Sequence, residues 1–414
     1  MRAVIMAGGR GTRIASVRGD VPKPMIPVCG KPILQYQIEN LKASGISDIT
    51  LVTGHLGSVV RDYFGDGSAF SVNISYFEET SPLGTAGALF RMPELTEDFI
   101  LMCGDLVLDL DFGRFIAFHR SKGALASLVA HPNSHPYDSS LLVADSDGRV
   151  LRWLGKEEPR LYYKNRVNAG VQILSPELLR LTSPLAEKVD LDREVLKPAI
   201  GTGRIFAYDT PEYIKDMGTP DRFHEVEAAV ASGLVGARNL SKKQKAVFLD
   251  RDGTLNRYAG FITRPEQLEL LPGAAEGVRA INRSGYLAIV VTNQPVIARG
   301  ECSFETLQEI HDKLETELGR EGAFLDAIYL CPHHPDRGFE GERPEFKIDC
   351  DCRKPKPGLL LRAAQDFNID LSGSIMIGDG ERDVQAGINA GCAVSHLLKE
   401  GETLPEALKE LGIC

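Results

Sequence analysis

The sequence predicts two α/β domains in tandem. Length, a strand and helix rhythm that occurs twice, and a polar break between the two rhythms carry that prediction. A chain of 414 residues is roughly two to three times the usual domain size, beyond the reach of one hydrophobic core. Its 43% hydrophobic and 25% charged residues are ordinary for a globular protein. They exclude a disordered, collagen-like or disulfide-stapled chain.

In the first half, strand-like runs at 3–6, 49–52, 99–102 and 171–174 alternate with helix-length amphipathic stretches such as 33–43. This is the βαβ pattern of a mostly parallel sheet. A second rhythm starts at Lys245, with strand 246–249, helix 274–284, strand 286–291, helix 304–318 and strand 375–377. Between them, 232–245 carries Gly233, Gly236, Asn239 and a Ser-Lys-Lys-Gln-Lys stretch with no sustained apolar period. The expected division is residues 1–235, a linker at 236–244, and residues 245–414.

The 57 acidic and 47 basic side chains leave a net charge of −10, the wrong sign for a nucleic-acid or anionic-membrane binder. Any phosphate must be gripped locally. No apolar run approaches bilayer length, and the start runs from Met1 straight into Gly8-Gly9-Arg10, unlike a secretory signal. A cytoplasmic address is expected. Eight cysteines are too few for a disulfide framework, and Cys331, Cys350 and Cys352 crowd around His333, which reads as metal binding.

The first strand feeds Gly8-Gly9-Arg10-Gly11-Thr12-Arg13, whose backbone can approach a ligand closely while N–H groups and arginines face it. Phosphate is the fitting guest, although a tight βα turn has the same composition. Prolines on both sides of Lys23 stiffen the segment that aims its ammonium. Taken singly, Asp105 and Asp216 read better as cap or turn aspartates. Taken with Pro82-Leu83-Gly84-Thr85-Ala86-Gly87, Cys103-Gly104-Asp105, Asn168-Ala169-Gly170 and Lys215-Asp216-Met217-Gly218-Thr219-Pro220, they resemble the ordered motifs of sugar-1-phosphate nucleotidyltransferases over about residues 1–225.

That resemblance implies a Rossmann-like fold and a set of roles. Gly8, Gly9, Gly11, Thr12 and Gly104 would bind the nucleotide, Arg13 steady the leaving pyrophosphate, and Lys23 the transferring phosphate. Asp105 and Asp216 would hold Mg²⁺, while Gly84, Thr85 and Ala86 meet the base. Lys156 looks like the family's sugar-phosphate lysine, and Asn168 and Gly170 complete the substrate set. The Gly-Thr-Ala-Gly turn is more similar to guanylyltransferases of the mannose 1-phosphate type than to thymidylyl or uridylyl enzymes, which makes GTP the expected donor. Such a centre must neutralise charge on both sides of an in-line displacement at the α-phosphorus.

In the second half, Phe248-Leu249-Asp250-Arg251-Asp252-Gly253-Thr254 places two carboxylates just past a buried strand. The run resembles the haloacid-dehalogenase phosphatases, a Rossmannoid fold. By that resemblance Asp250 attacks phosphorus and Asp252 protonates the leaving alcohol. Asp379 joins Asp250 and Asp252 at Mg²⁺ with Asp383 in support, and Thr292 and Lys354 contact the phosphoryl oxygens. Cys331, His333, Cys350 and Cys352 form a four-ligand set suited to structural Zn²⁺, with His334 as the alternative imidazole. The zinc would pin a loop carrying Arg353 and Lys354.

Thr292-Asn293-Gln294, Ile297-Ala298-Arg299-Gly300 and Cys350-Asp351-Cys352-Arg353-Lys354-Pro355 resemble the zinc-containing heptose bisphosphate and histidinol-phosphate branch, with Asn293, Arg299 and Arg353 as substrate contacts. Pro295-Val296 departs from the Ser-Gly usual there. About forty residues separate Asp252 from Thr292, too few for a large cap domain.

A 7-phosphatase acting on heptose 1,7-bisphosphate leaves a heptose 1-phosphate, the acceptor that a sugar nucleotidyltransferase needs. The expectation is a bifunctional enzyme making a GDP-heptose from small-molecule substrates, with no nucleic-acid or membrane partner. The alternatives are a hexose-1-phosphate nucleotidyltransferase fused to a histidinol-phosphate-like phosphatase, or a regulatory protein with one inactive half.

Overall fold

The expected strands form where the apolar runs stand. The computed structural model describes residues 1–9, 21–54, 56–182 and 186–413. The predicted ligands Gly11, Thr12 and Arg13 lie outside the described residues. Contacts divide the chain into two units. The first comprises Met1–His131, Leu142–Leu154 and Asn168–Asn239, and the second Pro132–Leu141, Gly155–Val167 and Leu240–Cys414. Two segments that the sequence division assigns to the first half, 132–141 and 155–167, therefore cluster with the second.

The strands used below are, in chain order, β1 (Ala3–Met6), β2 (Asp48–Thr53), β3 (Asn73–Glu78), β4 (Phe99–Cys103), β5 (Leu106–Leu108), β6 (Ala126–His131), β7 (Leu141–Ala144), β8 (Val150–Leu154), β9 (Val167–Leu174), β10 (Ile205–Asp209) and β11 (Ile214–Asp216). The first unit is built on a sheet ordered β8-β7-β9-β4-β1-β2-β3, with β6 pairing β9 and β10. β1 runs parallel to β2 and β4, and β9 is antiparallel to β4. Ala3, Val4 and Ile5 are wholly buried. Their side chains feed two cores, one on each face of the sheet, because alternate residues of a strand point opposite ways. Helix α1 (Ile33–Ala43) buries Leu34, Ile38 and Leu41, the spacing of one helical stripe.

The second unit holds a parallel sheet of β12 (Lys245–Leu249), β13 (Tyr286–Asn293), β14 (Ala327–Cys331), β15 (Ile375–Gly378) and β16 (Val394–Leu397), ordered β14-β13-β12-β15-β16. The central β12 is buried from Ala246 to Leu249, as expected of a parallel strand covered on both faces. Among the helices, α2 (Pro220–Ala231) belongs to the first unit, and α3 (Ala274–Arg283), α4 (Phe304–Arg320) and α5 (Glu381–Ala390) to the second.

The polar stretch 232–245 carries local structure and buried residues. Leu234–Ala237 is helical, and Val235, Arg238, Asn239, Leu240 and Gln244 are buried. Asn239 donates to Asp109 in the first unit at 2.6 Å, while Asn368 in the second donates to the Leu240 and Lys242 carbonyls at 3.1 and 3.0 Å. Among the described residues, no helix is long and apolar enough to cross a membrane.

Candidate active sites

In the first unit Gly8 and Gly9 follow β1, and Gly104 and Asp105 follow its neighbour β4, at the carboxyl edge of the sheet. That is where open α/β sheets bind ligands. The Gly104 amide donates to the Met6 carbonyl at 3.0 Å, and a Cβ on Gly104 would stand 2.8 Å from that oxygen. Only glycine lets the β4 turn close against the loop after β1. Gln37, buried on α1, donates to the Cys103 and Leu106 carbonyls at 2.9 and 2.8 Å. It clamps both sides of the turn that carries Asp105.

β5 pairs with β11 so that Leu106 faces Asp216, and the Met217 amide donates to the Asp105 carbonyl at 3.2 Å. Asp105, in the turn just before β5, and Asp216, at the end of β11, thus belong to neighbouring segments. Each meets a cation. Lys23, buried in a tight helical turn between Pro22 and Pro24, ion-pairs with Asp105. Arg222 at the start of α2 reaches both carboxylate oxygens of Asp216 at 3.0 Å. The two carboxylates are hard oxygen ligands of the kind a hydrated Mg²⁺ takes, one or two at a time with substrate phosphates beside them, and Lys23 and Arg222 occupy them as counter-ions.

The turn at Gly84 is held from behind by 189–191. The Ala86 amide donates to the Val189 carbonyl at 3.0 Å, and Thr85 Oγ1 accepts the Leu191 amide at 2.7 Å. Gly84 has φ +84°, and a Cβ there would meet the Val189 carbonyl at 2.4 Å. Asn168 Oδ1 accepts from Gln172 at 3.3 Å, and Gly170 packs so tightly that a Cβ would stand 3.1 Å from Cys103 Sγ. Lys156 belongs to the 155–167 segment of the second unit and is exposed.

Sequence reasoning missed Glu79. Its Oε2 lies 3.1 Å from where a Gly8 Cβ would be. Its Oε1 is buried with no hydrogen-bond partner among the described residues. Burial pushes this carboxyl up, against an opposing hydrogen bond from the Leu83 backbone. Glu79 thus stands between the first glycine loop and the expected base turn.

In the second unit, Asp250 follows β12, Thr292 and Asn293 end β13, and Asp379 follows β15. Asp250, Asp379 and Asp383 each offer an oxygen within 4.8 Å of the others. A Cβ on Gly253 would stand 2.0 Å from Asp379 Oδ2, so the first loop must carry glycine there. Lys354, whose side chain is 1% exposed, donates to Asp250 Oδ1 at 2.7 Å and ion-pairs with Asp383 at 2.6 Å. Burial pushes Asp250 up to about 6, with Lys354 pulling the other way. Burial and then Asp383 raise Asp379.

Asp252 is not in this acidic trio. Arg251 Nη2 donates to its two oxygens at 2.9 and 2.8 Å, Asn256 to Oδ1 at 3.0 Å, and Gln294 to Oδ2 at 2.8 Å. Burial alone would raise this carboxyl, yet Arg251 and the amide donors hold it below its ordinary value. Arg251 itself is wholly buried and donates to His311 at 3.2 Å. Burial and Arg251 push His311 down to about 3, which leaves it a neutral acceptor. Arg251, Asn256, Gln294 and His311 surround Asp252 in the site without any role assigned to them by the motifs.

Asn293 brackets the Lys354 backbone, accepting from its amide at 3.0 Å and donating to its carbonyl at 3.1 Å. Arg353 donates to the His333 carbonyl at 3.1 Å. Arg299 lies 4.6 Å from the Phe261 ring centroid and 4.0 Å from that of Phe339, and pairs with Glu301 at 2.7 Å. Where the branch has glycine, Val296 is 1% exposed in an apolar core cluster, which adds about 1.5–3 kcal/mol of burial.

Cys331, His333, Cys350 and Cys352 converge. Cys352 Sγ lies 3.1 Å from Cys331 Sγ and 3.2 Å from Cys350 Sγ, and His333 Nδ1 is 3.3 Å from Cys352 Sγ. These separations are too long for a disulfide and approach the edges, about 3.8 Å, of a tetrahedron around a metal with ~2.3 Å bonds to sulfur. His334 is outside the group; its Nδ1 accepts the Asp336 amide at 3.1 Å.

The nucleotidyl transferase family model matches residues 2–233, and the haloacid dehalogenase-like hydrolase model matches residues 212–391. The chain belongs to both families. The D-glycero-beta-D-manno-heptose-1,7-bisphosphate 7-phosphatase of Pasteurella multocida is 42% identical over 163 residues, 39% of this chain and 86% of that protein. The D-glycero-alpha-D-manno-heptose-1,7-bisphosphate 7-phosphatase of Burkholderia mallei is 40% identical over 156 residues, 38% of this chain and 80% of that protein. A solved structure, HddC from Yersinia pseudotuberculosis complexed with GMP-PN, is 29% identical with a TM-score of 0.47, covering 54% of this chain and 96% of that one. The two α/β domains are thus a nucleotidyltransferase and a haloacid dehalogenase-type phosphatase in one polypeptide.

Proposed function

We propose that the chain removes the 7-phosphate of D-glycero-α-D-manno-heptose 1,7-bisphosphate and transfers GMP from GTP to the resulting heptose 1-phosphate. The products are phosphate, pyrophosphate and a GDP-heptose. The observation that carries this reading is the fusion itself. One half is 42% identical to a heptose bisphosphate 7-phosphatase, and the other belongs to a family that consumes the kind of 1-phosphate such an enzyme releases.

Glu79 supports guanine. A carboxylate oxygen with no hydrogen-bond partner among the described residues, beside the turn at 82–87, complements the paired N1–H and N2–H donors of guanine. In the same half, Lys23 meets the transferring phosphate, and Asp105 and Asp216 are the proposed Mg²⁺ ligands. In the other half, Asp250 attacks phosphorus while Lys354 steadies the phosphoryl oxygens, and Asp252 passes a proton to the leaving sugar oxygen. A Mg²⁺ held by Asp250 and Asp379 would neutralise charge on the phosphoryl group. We read the Cys331, His333, Cys350 and Cys352 group as a structural zinc site.

The test is product identification by mass spectrometry, with both anomers of the bisphosphate and a panel of nucleoside triphosphates. GDP-heptose from the α anomer is the expected product. Phosphate release with no nucleotide sugar would defeat the linked reading. GDP-heptose from the β anomer, named for the Pasteurella relative, would correct the stereochemistry alone.

A further inference from the structure

We propose that Arg222 is a phosphate ligand uncovered by the metal: it neutralises Asp216 while the nucleotidyl-transfer centre is empty and turns to the phosphoryl oxygens of the nucleotide once Mg²⁺ takes that aspartate. The inference rests on reading Asp105 and Asp216 as the metal ligands of that centre.

The geometry behind it is a matched pair of internal counter-ions. Lys23 sits on Asp105 and Arg222 on Asp216, so both acidic ligands are neutralised by protein cations. The Arg222 guanidinium places one nitrogen at 3.0 Å from both oxygens of Asp216. The side chains of this pair are only 18% and 32% exposed. A cation bound at the same carboxylate competes with that nitrogen for the same lone pairs. An arginine displaced there stands within a side-chain rotation of whatever phosphate the metal carries, and a guanidinium is suited to phosphate oxygens.

Its placement is fixed by the backbone. Pro220 starts α2, Thr219 caps it by accepting the Arg222 amide at 3.4 Å, and Asp216 Oδ2 is held by the Gly218 amide at 2.9 Å. The side chain can therefore swing while its Cα stays in place. Metal and nucleotide binding become coupled through one residue.

The experiment measures two affinities in the full-length protein with opposite expected signs. Mn²⁺ binding without nucleotide is followed by electron paramagnetic resonance in an Asp379→Asn background, which removes the metal of the second unit. Mg²⁺·GTP binding is followed by calorimetry. Arg222→Gln is expected to tighten Mn²⁺ about 3- to 5-fold by removing the competing cation and to weaken Mg²⁺·GTP by about 10-fold. Arg222→Lys restores most of the nucleotide affinity. A variant that weakens both affinities, or leaves either unchanged, overturns the proposal. Asp216→Asn separates the two levels: unaltered Mn²⁺ binding there would fault the metal centre itself, whereas lost binding combined with a silent Arg222→Gln faults only the exchange.

Discussion

The Glu79 carboxylate, set beside Gly8 and hydrogen-bonded by the Leu83 backbone, is the side chain on which the choice of base should turn. Asp250, Asp379 and Lys354 converge as expected because each follows a buried strand or a ligand-rich turn. Glu79 carries no sequence signal, since a Glu-Glu-Thr-Ser run looks like any exposed loop until Gly8 and Leu83 are brought beside it. Glu79→Gln is expected to lower kcat/KM for GTP by at least about 10-fold, because a neutral amide offers one acceptor to two guanine donors. Comparing GTP with ATP and UTP under the same conditions checks this. An unchanged base preference would remove Glu79 from recognition.

Asp312 on α4 gives a pH test at the same scale. Burial pushes it up to about 6; Gln308 and Lys164 pull it down, and Glu315 and Glu309 push it further up. An acid that titrates above its unfolded value, about 3.9, binds an extra proton in the native state between the two values. The native state is therefore penalised as pH rises through about 4 to 6. Asp312→Asn should stabilise the second unit by on the order of 1–2 kcal/mol at pH 7, after discounting for partial solvent screening, and by nothing below about pH 4. Denaturant unfolding at the two pH values measures it, and an equal gain at both would contradict the assignment.

Among the elements, helix Ile33–Ala43 appears with the expected bounds because its apolar stripe is local information. Within 232–245, Asn239 meets Asp109 and the Leu240 carbonyl meets Asn368, partners that no local pattern could announce. The Cys/His loop makes the clearest prediction. Its final cysteine is followed at once by Arg353 and Lys354, so if the proposed zinc sits there its removal should loosen the ammonium that meets Asp250. Cys350→Ser is expected to lower the zinc content by elemental analysis, drop the melting temperature and cut phosphate release sharply. Full phosphate release from a zinc-free variant would show that the loop holds itself.

On the scale of the molecule, two sheets each bring a separate set of acidic groups to a carboxyl edge, so the activities should fail one at a time. Asp250→Asn is expected to abolish phosphate release to background and spare guanylyl transfer to supplied heptose 1-phosphate, and Asp105→Asn to do the reverse. Parallel assays of phosphate and pyrophosphate decide it. Loss of both activities in both variants would mean that the chemistry is not divided in this way.

The division by chemistry is not a division by chain. Arg166, wholly within the first half of the sequence, places its guanidinium 3.3 Å from Glu315 of α4, both side chains 5% exposed or less. Glu315 also accepts the Asn165 amide at 2.8 Å, and Thr316 accepts that of Tyr163 at 2.9 Å. A gene cut at codon 240 would strip a carboxylate of its only buried arginine among the described residues. The recombinant fragment would open a charged wound along a helix that the intact polypeptide keeps dry. No single cut near residue 240 separates the two units, because 155–167 stays with the second.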